Sequence, residues 1–230
     1  MDAIISGVHL VATRSVNSYI IDGDEGVTLV DTLLPNNEGA ISIALAAIGR
    51  SLVDVTAIVV THAHSDHTGS AAAVKAASGA AVYAPIGDVG AVRGEQKPPL
   101  PPMADRFPFL KPIMNRFLPA PDPVVVEYEI AEGIGGTLPA DLQVIDTPGH
   151  TPGHVSFLLE RDGGLLFVGD AAVAKNGRVK RGYMNRAEPT FDASLRHMAE
   201  RNFERAVFGH AAPLESGASA AFNRFVEAIR

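Results

Sequence analysis

The stretch Thr61-His62-Ala63-His64-Ser65-Asp66-His67 governs how the rest of the chain is read, because it crowds three of the eight histidines and one aspartate into seven residues. It follows the apolar run Ala57-Ile58-Val59-Val60 and precedes an alanine-rich stretch from Gly69 to Ala77. The run reads as a buried strand and the stretch as a helix, so the cluster lies at a strand's carboxyl end, where open α/β sheets place their sites. In extended backbone His62 and His64 leave on the same side. Any one of these residues alone is an ordinary surface or capping group, and Asp66 can cap the helix. Four of them at this spacing read as metal ligands.

Outward from the cluster, strands and helices alternate. Val8 to Asp31 reads as antiparallel strands turned at Asp22-Gly23-Asp24-Glu25-Gly26. Asn36 to Ile48 carries Ile41, Leu45 and Ile48 three or four apart, which predicts a helix ending at Gly49. Residues 80–84, 124–130, 142–146, 155–160, 164–170 and 205–209 read as strands, and 191–202 and 218–229 as helices. This order predicts a layered α/β protein. Nine of the sixteen prolines fall within residues 98–123, together with Met103, Phe107, Phe109, Leu110, Ile113, Met114, Phe117 and Leu118. That stretch is too broken for long regular elements and too apolar for a solvated linker. We read about 94–123 as a flap inserted in one domain spanning 1–230, with Phe107, Leu110, Met114 and Phe117 forming an apolar face that covers the site or joins a homodimer.

Composition removes several alternatives. With 47% apolar residues in 230, a substantial core is expected. A formal charge of -7 argues against nucleic acid as a partner. No apolar run reaches the roughly 18–20 residues of a membrane helix. The opening residues lack the basic start of a signal sequence, so a cytoplasmic protein acting on a small molecule is expected. The absence of cysteine leaves nitrogen and oxygen as metal ligands.

A constrained loop and two more strand ends supply such ligands. His150 lies in the loop Asp146-Thr147-Pro148-Gly149-His150-Thr151-Pro152-Gly153-His154, Asp170 ends Phe167-Val168-Gly169, and His210 follows Phe208-Gly209. His154 reads as a hydrogen-bonded support for its loop, and His9 and His197 have no partner pattern.

The set His62, His64, Asp66, His67, His150, Asp170 and His210, in this order, resembles the metallo-β-lactamase superfamily. Leu29-Val30-Asp31 resembles that family's early strand, whose aspartate braces the histidine loop. The resemblance implies a four-layer αββα sandwich of two mixed sheets with helices on the outer faces. It further implies that His62, His64 and His150 hold a first metal, that Asp66, His67 and His210 hold a second, and that Asp170 bridges them. Two divalent ions are expected, zinc foremost, with iron or manganese also suited to these ligands. The expected reaction is hydrolysis of a small ester, thioester or lactone by a hydroxide held between the metals, with Asp66 handling the proton. Within the family the chain resembles glyoxalase II and lactone-cleaving enzymes. Only 20 residues follow His210, too few for the glutathione-holding domain of glyoxalase II. Acyl-homoserine lactonases carry a tyrosine three positions after the bridging aspartate, where this chain has Val173 and Tyr183 is the candidate replacement. Lys175, Arg178, Lys180 and Arg181 are candidates for a substrate carboxylate. The alternatives on the same ligands are a mononuclear iron persulfide dioxygenase and a metal-binding module without turnover.

Overall fold

The computed structural model describes residues 3–98, 107, 109, 121–183 and 188–229. Its first sheet has seven strands in sequence order, β1 (Ala3–Ile5), β2 (Val8–Ala12), β3 (Asn17–Gly23), β4 (Gly26–Val30), β5 (Val55–Val59), β6 (Ala81–Pro85) and β7 (Tyr128–Ile130). Pairing is antiparallel from β1 to β4 and parallel from β4 to β7. The second sheet comprises β8 (Gln143–Asp146), β9 (Val155–Leu159), β10 (Leu165–Phe167) and β13 (Arg205–Val207), with β13 parallel to β10. Helices α1 (Glu38–Ala47), α2 (Ser65–Thr68), α3 (Ala71–Ser78) and α4 (Val89–Val92) belong to the first half, and α5 (Glu188–Ala199) and α6 (Ala218–Ala228) to the second.

The period of two along each strand explains the four layers. Ile20, Leu29 and Ile58 face a core that holds Ile41 and Leu45 of α1 and Val74 of α3. Their neighbours Ile21, Val30 and Val59 face the opposite way, into a core shared with Phe157, Phe167 and Val207 of the second sheet. Leu158, Leu166 and Phe208 then face a third core with Phe191 and Leu195 of α5 and Phe222 of α6. Both faces of the central strands are therefore dry, which is why they read as continuous apolar runs. The αββα sandwich follows, with Tyr19 and Phe167 meeting edge to face across it at 5.5 Å.

Three elements differ from the sequence reading. The helix expected over Gly69 to Ala77 is α3, and a short helix not expected from the sequence, α2, precedes it; at Gly69 between them the N–H goes to the Leu33 carbonyl at 2.9 Å, and a Cβ would sit 2.2 Å from the Pro35 nitrogen. The run from Val124 pairs as a strand only over Tyr128–Ile130. The basic stretch is a hairpin, β11 (Ala172–Lys175) and β12 (Arg178–Arg181). Its turn is Asn176-Gly177, both at positive φ (53° and 70°), the two-residue turn that matches strand twist. Of the flap's apolar face only Phe107 is among the described residues, with its ring 6.0 Å from that of Phe109; Leu110, Met114 and Phe117 lie outside them. Among the described residues no helix is long and apolar enough to cross a membrane.

This topology gathers the candidate ligands. Asp31 and His62 follow β4 and β5, while Asp170 and His210 follow β10 and β13. Each pair of strands is parallel, so their carboxyl ends open on one edge of the sandwich.

Candidate metal centre

Three groups form at that edge: His62 with His64 and His150, His62 with His67 and Asp170, and Asp66 with His67 and His210. In each group one possible ligand atom per residue lies within 4.8 Å of the others. His62, His67, His150 and Asp170 are buried, while His64, Asp66 and His210 are partly exposed and mark the open side.

In His62, His67, His150 and His210 the Nδ1 is committed elsewhere, and this sets which nitrogen turns inward. Asp31 accepts the Thr61 N–H and the Thr61 hydroxyl, both at 2.8 Å. Because that hydroxyl donates to Asp31, it can only accept from Nδ1–H of His62, 3.0 Å away. Asp31 also takes Nδ1–H of His67 at 2.7 Å. The Tyr183 carbonyl accepts Nδ1–H of His150 at 2.9 Å, and the Ser15 carbonyl accepts Nδ1–H of His210 at 2.5 Å. His62, His67, His150 and His210 thus turn Nε2 inward. His62 Nε2 and His150 Nε2 meet His64 Nδ1 at 3.1 and 2.9 Å. One proton on His64 Nδ1 serves only part of that set, whereas a cation at the same place serves all three.

The other group is organised by Asp170. Its Oδ2 lies 3.1 Å from His210 Nε2 and 3.5 Å from His150 Nε2, and its Oδ1 lies 3.4 Å from His67 Nε2. Asp66 Oδ2 is 3.3 Å from His210 Nε2. Buried His67 Nε2 and Asp170 Oδ1 have no hydrogen-bond partner. Such orphaned atoms in a nitrogen and carboxylate set fit divalent metal binding.

The charges of the metal-free chain agree. Burial and the facing histidines hold His62 well below its ordinary value, and burial, partly opposed by Asp170, lowers His150 to about 4. Burial also opposes the charge on His67 and His210, but the carboxylates outweigh it. Asp170 and Asp31 raise His67 well above its usual range, and Asp170 and Asp66 raise His210 to about 10. Burial likewise works against Asp66, yet His67 and His210 bring it to about 2. Protons thus stand on His67 and His210 while His62 and His150 stay neutral.

A pH dependence follows. Below an ordinary value near 6.5 the unfolded chain protonates the histidine that the fold keeps neutral down to about 4 at His150, so stability falls as pH drops through that window. His210 contributes stability below about 6.5, and this is lost as pH rises toward 10. Chelator-treated protein should therefore melt highest near pH 6.5, with Tm lower by on the order of 5 °C at pH 4.5 and at pH 9.5. A Tm rising steadily to pH 9.5 would contradict this account.

Several supporting residues carry no motif in the sequence. Asn17 donates to the carbonyls of Phe208 and Ala211 at 3.0 and 2.9 Å, and the Tyr19 hydroxyl donates to the Phe208 carbonyl at 2.7 Å and accepts its N–H at 3.1 Å. These bonds fix the strand end that carries His210. Gly209 is required by its neighbours, since a Cβ there would lie 2.2 Å from Asp170 Oδ1 and 2.7 Å from His67 Cε1. Gly209→Ala should cost about 1–3 kcal/mol through overpacking and reduce bound zinc, read by thermal melting and metal analysis.

His154 is not aimed at the cluster. Its Nε2 accepts the Asp170 N–H at 3.0 Å and its Nδ1 meets the Thr147 hydroxyl at 2.8 Å. Tyr183 contributes its carbonyl while its side chain is 60% exposed, and Val173 is buried in β11. Arg181 pairs with Asp192 through two hydrogen bonds of 2.9 and 2.8 Å, which removes it from the candidates for a substrate carboxylate. Lys175 and Arg178 are exposed and opposite each other at the turn end of the hairpin.

Residues 11–210 match the family model described as the metallo-beta-lactamase superfamily. The chain is 32% identical over 190 residues to the uncharacterized protein YobT of Bacillus subtilis, covering 72% of this chain and 67% of that protein. It is 32% identical over 130 residues to a hydroxyacylglutathione hydrolase of Albidiferax ferrireducens (55% of this chain, 38% of that protein). An N-acyl homoserine lactonase of a Bacillus species is 29% identical over 186 residues (68% and 64%). The chain thus spans about two thirds of YobT and of the lactonase, and little more than a third of the hydrolase. Among solved structures, the metallo-beta-lactamase family protein TTHA1429 of Thermus thermophilus superposes with a TM-score of 0.72 at 25% identity, over 99% of this chain and 80% of that one. With the sandwich, the ligand edge and the family match in agreement, the chain belongs to the metallo-beta-lactamase superfamily.

Proposed function

We propose that this chain is a hydrolase that uses two divalent ions, zinc foremost, to cleave a small ester, thioester or lactone. The observation that carries the reading is the position of Asp170, whose one carboxylate faces His150 of the first group and His67 and His210 of the second. The names of the hydroxyacylglutathione hydrolase and the lactonase among its relatives support an acyl substrate.

Two such ions would supply a water acidic enough to attack at neutral pH and would polarise the substrate carbonyl. His62, His64 and His150 would hold one, Asp66, His67 and His210 the other, with Asp170 shared. The chain's own residues prepare for this. Asp31, Thr61 and the carbonyls of Tyr183 and Ser15 hold the Nδ1–H of the four pinned rings and so leave Nε2 of each to face the metal positions. Asp66, at about 2 in the metal-free chain, remains an anion and is a poor proton store at neutral pH. Its role in this reading is to ligate and to orient the attacking water by accepting its hydrogen bond.

Protein purified without added metal tests the reading by metal analysis and a panel of thioesters, lactones and esters. The expected result is about two zinc per chain and turnover of one class. One iron per chain with oxygen consumption on glutathione persulfide would overturn it in favour of a dioxygenase. Zinc-loaded protein without turnover on any of the panel would leave a binding module.

A further inference from the structure

The loop carrying His62 and His64 and the loop carrying His150 come from different sheets, and one side chain joins them. Asp88 follows β6 and is 4% exposed. Its Oδ2 accepts the Ala63 N–H at 2.9 Å and the Thr151 hydroxyl at 2.6 Å, and its Oδ1 accepts the Gly153 N–H at 2.8 Å. Ala63 lies between His62 and His64, and Thr151 follows His150, so the carboxylate grips the chain next to all three histidines. Asp88 occupies the residue before α4, where an aspartate ordinarily caps the helix. Here it makes no side-chain cap. The approach depends on two glycines: a Cβ on Gly87 would lie 2.7 Å from the Gly153 Cα, and one on Gly153 would lie 2.4 Å from the Asp88 nitrogen.

We propose that Asp88 is a positioning residue that sets the spacing of His62, His64 and His150 by tying their two loops together, and so sets the metal affinity of that group. The proposal rests on the metal-site reading above. Its chemistry requires a carboxylate: three donors converge on Asp88, and two of them are backbone N–H groups that cannot turn away. In Asp88→Asn the amide nitrogen must face one of these N–H groups in either orientation, so at least one tie is lost. Asp31 holds Thr61 and His67 from the other side. Without Asp88 the His62 loop keeps that anchor, whereas the His150 loop loses the ties beside His150 itself and keeps the bond from the Val155 N–H to the Thr61 carbonyl at its far end, 2.9 Å.

The test measures zinc affinity by competition with a chromophoric chelator, together with the visible spectrum of the cobalt-substituted protein. The wild-type chain is compared with Asp88→Asn, Thr151→Val and Leu45→Ala. Leu45 lies in the helix-facing core, so its truncation lowers stability without touching the loops. Asp88→Asn should lower zinc affinity at the tighter site about 10–100-fold and alter the cobalt spectrum, the effect expected of a lost outer hydrogen bond. Thr151→Val, which keeps two of the three ties, should give a smaller loss, and it decides the matter if Asp88→Asn does not fold. Leu45→Ala should lower Tm with affinity unchanged. Wild-type affinity in both Asp88→Asn and Thr151→Val, or an equal loss in Leu45→Ala, overturns the proposal alone. A wild-type chain that binds no zinc overturns the metal-site reading and this proposal with it.

Discussion

Asp170→Asn should reduce turnover on the order of 10³-fold, the scale of deleting one electrostatic stabiliser in a water-poor site, and should lower bound zinc to one equivalent per chain or fewer. Asparagine keeps the shape, and the backbone N–H of residue 170 can still donate to His154. What disappears is the charge. Asp170 is 4% exposed and faces ring nitrogens of His67, His150 and His210 within 3.5 Å. An amide in its place turns either a weaker oxygen or an N–H toward those nitrogens, so the two groups lose their common anion. Metal analysis and steady-state kinetics on the same preparation check this. Wild-type zinc content with wild-type turnover would show that the groups do not share a carboxylate in function.

Asp31→Ala should be the most destabilising single change at this edge, at about 3–5 kcal/mol for stripping a buried, hydrogen-bonded charge from its partners. For a chain of this size that lowers Tm by about 10 °C. Two causes combine. The carboxylate holds the Thr61 N–H, the Thr61 hydroxyl and the His67 ring at 2.7–2.8 Å, and alanine leaves all three without that partner. Residue 31 also sits at φ 60°, a left-handed conformation that asparagine and aspartate tolerate better than alanine. Asp31→Asn should therefore melt between the wild type and Asp31→Ala, while still losing zinc affinity because the imidazole of His67 no longer meets a carboxylate. Equal melting of the two variants would rule out the backbone contribution.

Much of the fold was legible in the chain because its cause is local. The runs at Ala57–Val60 and Leu165–Val168 are buried on both faces, and such strands are apolar throughout. Glycine ended α1 and α3 where expected, at Gly49 and Gly79, both left-handed. The hairpin at Asn176-Gly177 is also written locally, in an Asn-Gly pair between short runs. The need for glycine at Gly69 was not legible, since what a Cβ would strike there is the distant backbone of Leu34 and Pro35.

The candidate centre divides in the same way. By itself the sequence determined which residues are candidate ligands, in what order they come, and that they lie at strand ends or in the segments after them, because residue identity and apolar patterning are carried within a few positions of one another. The tertiary structure decided which ring nitrogen the pinned histidines turn inward, that Asp170 faces both groups, and that Asp88 joins the loops of His62 and His150. Those outcomes depend on contacts between distant positions, 65 residues apart for Asp88 and Gly153 and 189 for Tyr19 and Phe208. A hydrogen bond's direction is set by the partner that folding delivers, and nothing in the neighbouring residues of the chain specifies it.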